Sequence, residues 1–450
     1  MLDINQILAL AIFIALFIAI IIGKIHRYIP AVIAGVLMLA VFVLVMKKPE
    51  AAVNVINLGQ ITHLSFWVPG HEHLETSGVN WQTIVFIGGM MAMVESMGDV
   101  GFFDWLCLSI AKLVKYRPVP IFISFMLVSG ILSMFIDSIT VLLFMTAIAI
   151  ELARLLKIDP VPFIIAMIFA ANTGGSATMS GDPPNIIIGT SLGFTFTDFL
   201  TNTGVIAWIG IIAALGFFLL VFRKALVPTV SQDNLAKPYP EPGQAITNPF
   251  LFKIDIVIFV LIVILLISHA NTGLSVASIG VIAAILTLVV AWKRAFHIMK
   301  RVDWRTLLFF VGLFITVSGL KETGLLERLA NYISQITGGS LILVIPVILW
   351  FSAFASAIID NIPFAATMVP VIAGISQSAG IPLPPLAWAL ALGTDIGGNA
   401  TPIGASANVV STAIAEREGY PITWRRYLKY AIPATVLVVG LCWACLALKY

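Results

Sequence analysis

Four aspartates and a set of amides and hydroxyls stand in this chain where apolar surroundings make them expensive. Asp137 and Asp360 interrupt two apolar stretches, in Phe135-Ile136-Asp137-Ser138-Ile139-Thr140 and Asp360-Asn361-Ile362-Pro363. A second kind of break runs from Asp395 through Gly397, Gly398 and Asn399 to Thr401. Its counterpart runs from Asn172 through Thr173, Gly174, Gly175 and Ser176 to Thr178. Asp182 follows in Gly181-Asp182-Pro183-Pro184-Asn185, and Asn408 closes the later break. Carboxylates in apolar surroundings bind a proton or a cation, and neutral oxygens from Asn, Ser and Thr suit a hard ion such as Na⁺. An Asp near a bilayer centre costs about 2.5–3.5 kcal/mol on insertion scales. Asp also caps helices, but Ser or Asn would cap without that cost. Asp137 and Asp360 are therefore the sharpest candidates for carrying a cation or proton. Asp395, with no cationic neighbour in sequence, ranks close to them. At Asp182 turn chemistry competes, and Glu95, inside an apolar span, ranks lower.

These residues recur. From Val79 to Asn408 the chain repeats at a fixed offset of 223 residues without a gap. Val79, Trp81, Thr83, Gly89 and Gly101 return as Val302, Trp304, Thr306, Gly312 and Gly324, and Asp137 returns as Asp360. Gly174, Gly175, Ala177, Thr178, Gly181 and Asn185 return as Gly397, Gly398, Ala400, Thr401, Gly404 and Asn408. Asp395 stands opposite Asn172, and Glu95 opposite Ser318. Two halves that share polar, glycine-rich breaks inside apolar segments are the signature of a secondary transporter, with the breaks meeting at one central site.

The elements that carry the breaks follow from hydropathy. The chain is 60% hydrophobic and 10% charged, against about 25% charged in soluble domains, and its mean hydropathy is +1.05. Apolar runs at 5–22, 29–46, 204–222, 252–268 and 274–292 approach or reach the roughly 20 residues that span a bilayer. The first lacks a small-residue cleavage site and reads as a span, not a signal peptide. Further spans are expected near 82–98 and 304–320, helix–break–helix hairpins at 119–156 and 340–376, and interrupted spans from about 160 and over 384–414. Irregular backbone at membrane depth is tolerated only where protein buries it or a wet cavity meets it. The expected fold is an all-α integral membrane protein of two inverted repeats, each with five crossings and one re-entrant hairpin. Residues 1–224 form the first repeat, 225–250 a cytoplasmic linker and 251–450 the second repeat.

Charge sets the orientation. Loop 293–305 holds Lys293, Arg294, Lys300, Arg301 and Arg305, whereas its counterpart 47–80 holds only Lys47 and Lys48. Equivalent loops then lie on opposite sides, as inversion requires. With the hairpins re-entrant, 20 of the 25 Lys and Arg residues fall inside, and both termini lie outside the cell membrane. Hairpins that fully span would give parallel repeats, which this bias opposes. The net charge of +3 reflects basic cytoplasmic loops, not a nucleic-acid footprint. Cys442 and Cys445 read as packing residues, as do Met90, Met91 and Met93, and His63, His71 and His73 as a solvated loop. No nucleophile–base constellation or HExxH motif points to an enzyme, and no resident cofactor is implied beyond a bound Na⁺.

At the breaks the sequence resembles the ion transporter superfamily, in its arsenite-permease and sodium/proton-antiporter branch. The likeness rests on Ile359-Asp360-Asn361-Ile362-Pro363-Phe364-Ala365-Ala366-Thr367-Met368-Val369-Pro370, on Gly397 to Asn408 and on Gly181 to Asn185. The resemblance implies inverted repeats, two hairpins, an elevator-like cycle and often a homodimer. Related sodium/carboxylate symporters carry Ser-Asn-Thr at both hairpin tips. Here the tips read Asp137-Ser138-Ile139 and Asp360-Asn361-Ile362, which disfavours a carboxylate substrate and favours cations or protons. The expectation is a transporter exchanging H⁺ with Na⁺ or a similar small inorganic ion. Arsenite or antimonite efflux is the alternative, and a carboxylate symporter or a channel ranks below both. No ATP-binding loop is present, so coupling is to a gradient or, for an arsenite pump, to a partner ATPase.

Overall fold

The structure is a computed structural model that describes residues 3–68, 78–227 and 240–450. His71 and His73, and much of the 225–250 linker, lie outside the described residues. Within them the principal helices fall into two sets of nine. The first is α1 (Ile4–Ile22), α2 (Tyr28–Ala40, continued to Val45), α3 (Trp81–Asp99), α4 (Phe102–Leu113), α5 (Pro118–Ser133), α6 (Ser138–Leu155), α7 (Val161–Gly175), α8 (Pro183–Leu192) and α9 (Val205–Phe222). The second is α10 (Pro249–Thr272), α11 (Val276–Val290), α12 (Trp304–Glu322), α13 (Leu325–Ile336), α14 (Leu341–Ile358), α15 (Asn361–Ala379), α16 (Leu383–Gly397), α17 (Ser406–Arg417) and α18 (Trp424–Lys449). Each helix of one set has its partner nine places on. Among the described residues no strand occurs.

Nine described helices are long and apolar enough to cross a membrane, or up to eleven if each sharply bent pair is one span. The protein is a multi-pass membrane protein. The bends fall where the sequence changes character: α3 meets α4 at 58°, and α11 turns by 99° into the basic stretch Trp292–Arg301. Helix starts are fixed locally. Asn80 and Asp303, equivalent in the repeat, cap α3 and α12 by accepting from the N–H groups of Thr83 and Thr306. Proline leads α5, α8 and α10, where its missing N–H costs nothing.

The two halves exchange packing partners. Helix α3 lies on α11 of the other half, and α12 lies on α2; likewise α6 packs on α17 and α15 on α8. Reciprocal exchange is what a two-fold relation between repeats produces. The glycines of the repeat explain how closely the backbones approach. A Cβ on Gly89 would lie 2.0 Å from the Gly280 carbonyl oxygen, and one on Gly312 would lie 2.3 Å from that of Ala31. Without an interhelical hydrophobic drive in lipid, such small-residue contacts hold membrane helices together.

Candidate functional site

Four helix starts and two helix ends define the site. Each hairpin, α5–α6 and α14–α15, breaks just before its second arm, and each interrupted helix, α7–α8 and α16–α17, breaks after a Gly-Gly pair. The hairpin's first arm lies against the interrupted helix at backbone distance: a Cβ on Gly174 would sit 2.2 Å from the Gly130 oxygen, and one on Gly397 2.3 Å from the Ala353 Cα. This contact explains why the Gly pairs survive in both halves, and it brings the breaks together.

The aspartates separate into two kinds. Asp137 caps α6, accepting from the Thr140 N–H at 3.0 Å and the Thr140 hydroxyl at 2.7 Å. Asp360 caps α15, accepting from the Ile362 N–H at 3.1 Å. It also accepts from the Ser406 hydroxyl at 2.6 Å and pairs with Arg27 at 3.1 Å. Asp182 stands at the cap position of α8, yet its side chain makes no capping bond. It accepts from Ser138 at 2.7 Å and from the Asn361 amide at 2.8 Å. The two hairpin tips thus grip one carboxylate. Asp395, inside the last turn of α16, accepts from Asn185 at 2.9 Å and from the same Asn361 nitrogen at 3.4 Å. Asp182 and Asp395 are 3% and 0% exposed, and neither has a basic partner among the described residues.

The repeat relation persists down to single bonds. Asn185 donates to the Gly175 carbonyl and to Asp395; Asn408 donates to the Gly398 carbonyl and its oxygen accepts from Asn172 at 2.8 Å. One contact is acidic and its twin neutral, because Asp395 stands where the other half has Asn172. Asn172 also donates to Asn399, whose amide reaches Thr173 at 3.4 Å. The Oδ1 atoms of Asn172 and Asn185 are buried without a hydrogen-bond partner. The remaining candidates serve the backbone: Ser176 donates to the Thr173 carbonyl within its own break, while Thr178 donates to Met134 and Thr401 to Ala357, tying the breaks to the hairpins.

Beside the first hairpin tip a cavity of about 30 Å³ is lined by Asp137, Ser180 and Thr306 among Met90, Met91, Phe86 and Ile362. It has room for water, since a cavity of about 10–15 Å³ holds one molecule. Residues from both hairpin tips, Ile136 and Ile362, face it.

Three residues of the neighbourhood escaped the sequence reading. Arg27 stands in the turn before α2, where it counts only as a loop charge. Ser406 stands opposite Pro183 in the repeat, so the repeat gave no warning of it. Asp255 is buried in α10, accepting from Ser96 at 2.9 Å; its one signal was an acid inside an apolar run. Glu95 pairs with Arg301 at 3.0 Å, beside the Asp99–Arg294 pair of 2.9 Å, and so belongs to a cluster joining α3 to the basic stretch after α11. No group of three or more His, Cys, Asp or Glu fit to hold a metal ion occurs among the described residues.

Comparison with known proteins agrees with this architecture. The sequence profile described as "Citrate transporter" matches residues 17–393. An uncharacterized transporter of Mycobacterium tuberculosis is 34% identical over 377 residues, covering 83% of this chain and 87% of its own length. The human P protein is 27% identical over 522 aligned positions, covering 98% of this chain and 60% of its own length. Among solved structures, the Alcanivorax borkumensis YdaH transporter superposes with a TM-score of 0.60 at 14% identity, covering 94% of this chain and 98% of its own. Neisseria gonorrhoeae MtrF, described as illuminating a class of antimetabolite efflux pumps, gives 0.54 at 12% identity, covering 100% and 95%. At those identities the two structures speak for the fold alone. The profile match spans most of the chain and the mycobacterial relative matches at length, so this protein is a secondary transporter belonging to the citrate transporter family.

Proposed function

We propose that the protein exchanges H⁺ with Na⁺ or a similar small inorganic cation, and that Asp182 and Asp395 hold the exchanged ion. The observation that carries this reading is a pair of buried carboxylates sharing one amide donor, without a basic partner, beside two buried amide oxygens that lack donors. Bare carboxylates at that spacing repel, and burying them unpaired costs several kcal/mol. Their charge is met by a proton or by a cation. Both bind the same oxygens, so each displaces the other, which is the simplest physical route to antiport. Asn361 and Ser138 link that event to the hairpins, because each donates to Asp182 from the first residue of a second arm.

The topology belongs to the same proposal. The two sets of helices form inverted repeats, residues 1–224 and 251–450, joined by a cytoplasmic linker, with α5–α6 and α14–α15 re-entrant. The termini lie outside the cell membrane, and a homodimer moves its site by an elevator-type cycle. The family's description points to citrate, but two buried acids would repel a free tricarboxylate, so citrate would enter only with its charge met by cations. Arsenite efflux draws no support from a thiol within the breaks, because Cys107, Cys442 and Cys445 belong to α4 and α18 and none falls in a break segment. Purified protein in liposomes loaded with a pH-sensitive dye, challenged in turn with Na⁺, Li⁺, K⁺, chloride, arsenite and citrate, tests the reading. Saturable proton movement with Na⁺ or Li⁺ is expected. Movement with citrate or arsenite alone would overturn it.

A further inference from the structure

The two hairpin tips are equivalent in sequence but not in their surroundings. The Asp360 carboxylate receives a guanidinium, whereas Asp137 caps its helix through Thr140 and has no basic partner among the described residues. The guanidinium is Arg27, at the start of α2, and one nitrogen reaches both Asp360 and Ser406 while the other donates to Thr306 at 3.1 Å. The ring of Phe309 lies 5.0 Å beneath it. Thr306 and Phe309 stand on α12, which packs on α2. Arg27 is thus held from one side by the α2–α12 pair, and from the other it holds a hairpin tip and the start of α17. In the other half α11 begins after Ser275, so the first hairpin has no such grip. The residue after Asp360 is Asn361, whose amide lies between Asp182 and Asp395.

We infer that Arg27 is a latch: its ion pair with Asp360 fixes the second hairpin tip over the acid pair, and its release admits the ion. Arg27 is a positioning residue, acting on the site through Asp360 and Asn361. The inference rests on the proposed cation site for its transport consequence, but the latch has its own readout. An ion pair at 23% and 11% side-chain exposure is desolvated enough to matter and wet enough to open, and the hydroxyls of Ser406 and Thr306 satisfy each partner in part. Arginine suits the task because its fork holds Asp360, Ser406 and Thr306 at once, where a lysine offers a point charge.

The test is the access of a thiol reagent to the tip. In full-length protein with Cys107, Cys442 and Cys445 replaced, Ile359→Cys places a single thiol beside Asp360. Its labelling rate by a small maleimide is compared in five backgrounds: parent, Arg27→Gln, Arg27→Lys, Asp360→Asn and the Arg27→Gln/Asp360→Asn double variant. The latch predicts labelling at least fivefold faster in Arg27→Gln and Asp360→Asn, an intermediate rate in Arg27→Lys, and no further gain in the double variant. Should Arg27→Gln fail to fold, Asp360→Asn and Arg27→Lys still decide. Rates equal to the parent, or gains that multiply in the double variant, would overturn the latch. In liposomes, Arg27→Gln should shift the Na⁺ concentration for half-maximal exchange more than the maximal rate. Faster labelling in a protein that moves no cation would keep the latch and sink the cation reading.

Discussion

Replacing Asp395 by Asn changes one atom and one charge at the centre of the site. The side chain is wholly buried, accepts from Asn185 at 2.9 Å and from Asn361 at 3.4 Å, and has no basic partner. Asn keeps the shape and an acceptor for Asn185, but its new NH₂ faces the Asn361 amide, at a cost of about 0.5–1.5 kcal/mol for one lost hydrogen bond. Folding should survive that. Ion binding should not, because a cation about 4 Å from the carboxylate at an effective dielectric of about 20 loses about 4 kcal/mol of attraction. At about 1.4 kcal/mol per decade that is close to a thousandfold in affinity. The assay is Na⁺-driven proton movement in liposomes, titrated with Na⁺ from micromolar to the highest concentration the vesicles tolerate, beside a size-exclusion profile in detergent. Asp395→Asn should elute like the parent and show no saturable exchange. Asp182→Asn should match it, since its carboxylate is held by both hairpin tips, although turn chemistry alone would make it milder. Asp137→Asn should stay within tenfold of the parent, because Asn caps a helix about as well as Asp. Unchanged Na⁺ and pH dependence in Asp395→Asn, or loss of exchange in Asp137→Asn alone, would refute the assignment.

Other outcomes follow from particular contacts. Asn172→Asp should destabilise the protein by about 1–3 kcal/mol, the cost of leaving buried polar groups unsatisfied; the new carboxylate would face the oxygens of Asn399 and Asn408, and the Asn408 amide is pinned by the Gly398 and Thr401 carbonyls. Thermal unfolding in detergent measures it. Gly89→Ala should cost about 1–3 kcal/mol, typical of overpacking, because its Cβ would meet backbone at 2.0 Å. Gly216→Ala, with nothing within 4 Å, is the matched control and should unfold no earlier than the parent. Cysteines placed at Leu64 and at Lys300 should differ toward an impermeant reagent on intact cells, with Leu64→Cys labelled and Lys300→Cys protected; labelling of both would end the inverted topology.

Much of this protein was legible in its sequence, for reasons of period and solvent. Twenty-residue apolar runs have one stable form in lipid, so the helices announced themselves, and hairpin arms at 118–133 and 138–155 follow the expected 119–156. The repeat marked the breaks, because Gly174 and Gly397 face backbone and tolerate no other residue. The surroundings of the acids were not legible. Asp137 and Asp360 looked sharpest because an Asp at membrane depth costs more than a Ser or Asn cap would, and in the structure both cap the second arm of a hairpin. Asp182 and Asp395 stand opposite Ala405 and Asn172 in the repeat, so nothing there marks them as a pair. They meet because α8 and α16 come from different halves and pack together, through Asn361 on a third helix. Arg27 lies 333 residues from Asp360, and no local pattern encodes such a contact. Sequence determined the segments and their breaks, since both are set by each segment's own hydropathy and backbone chemistry. Only the tertiary structure decided which carboxylates stay without a counter-charge, because that depends on what the other half of the chain places against them.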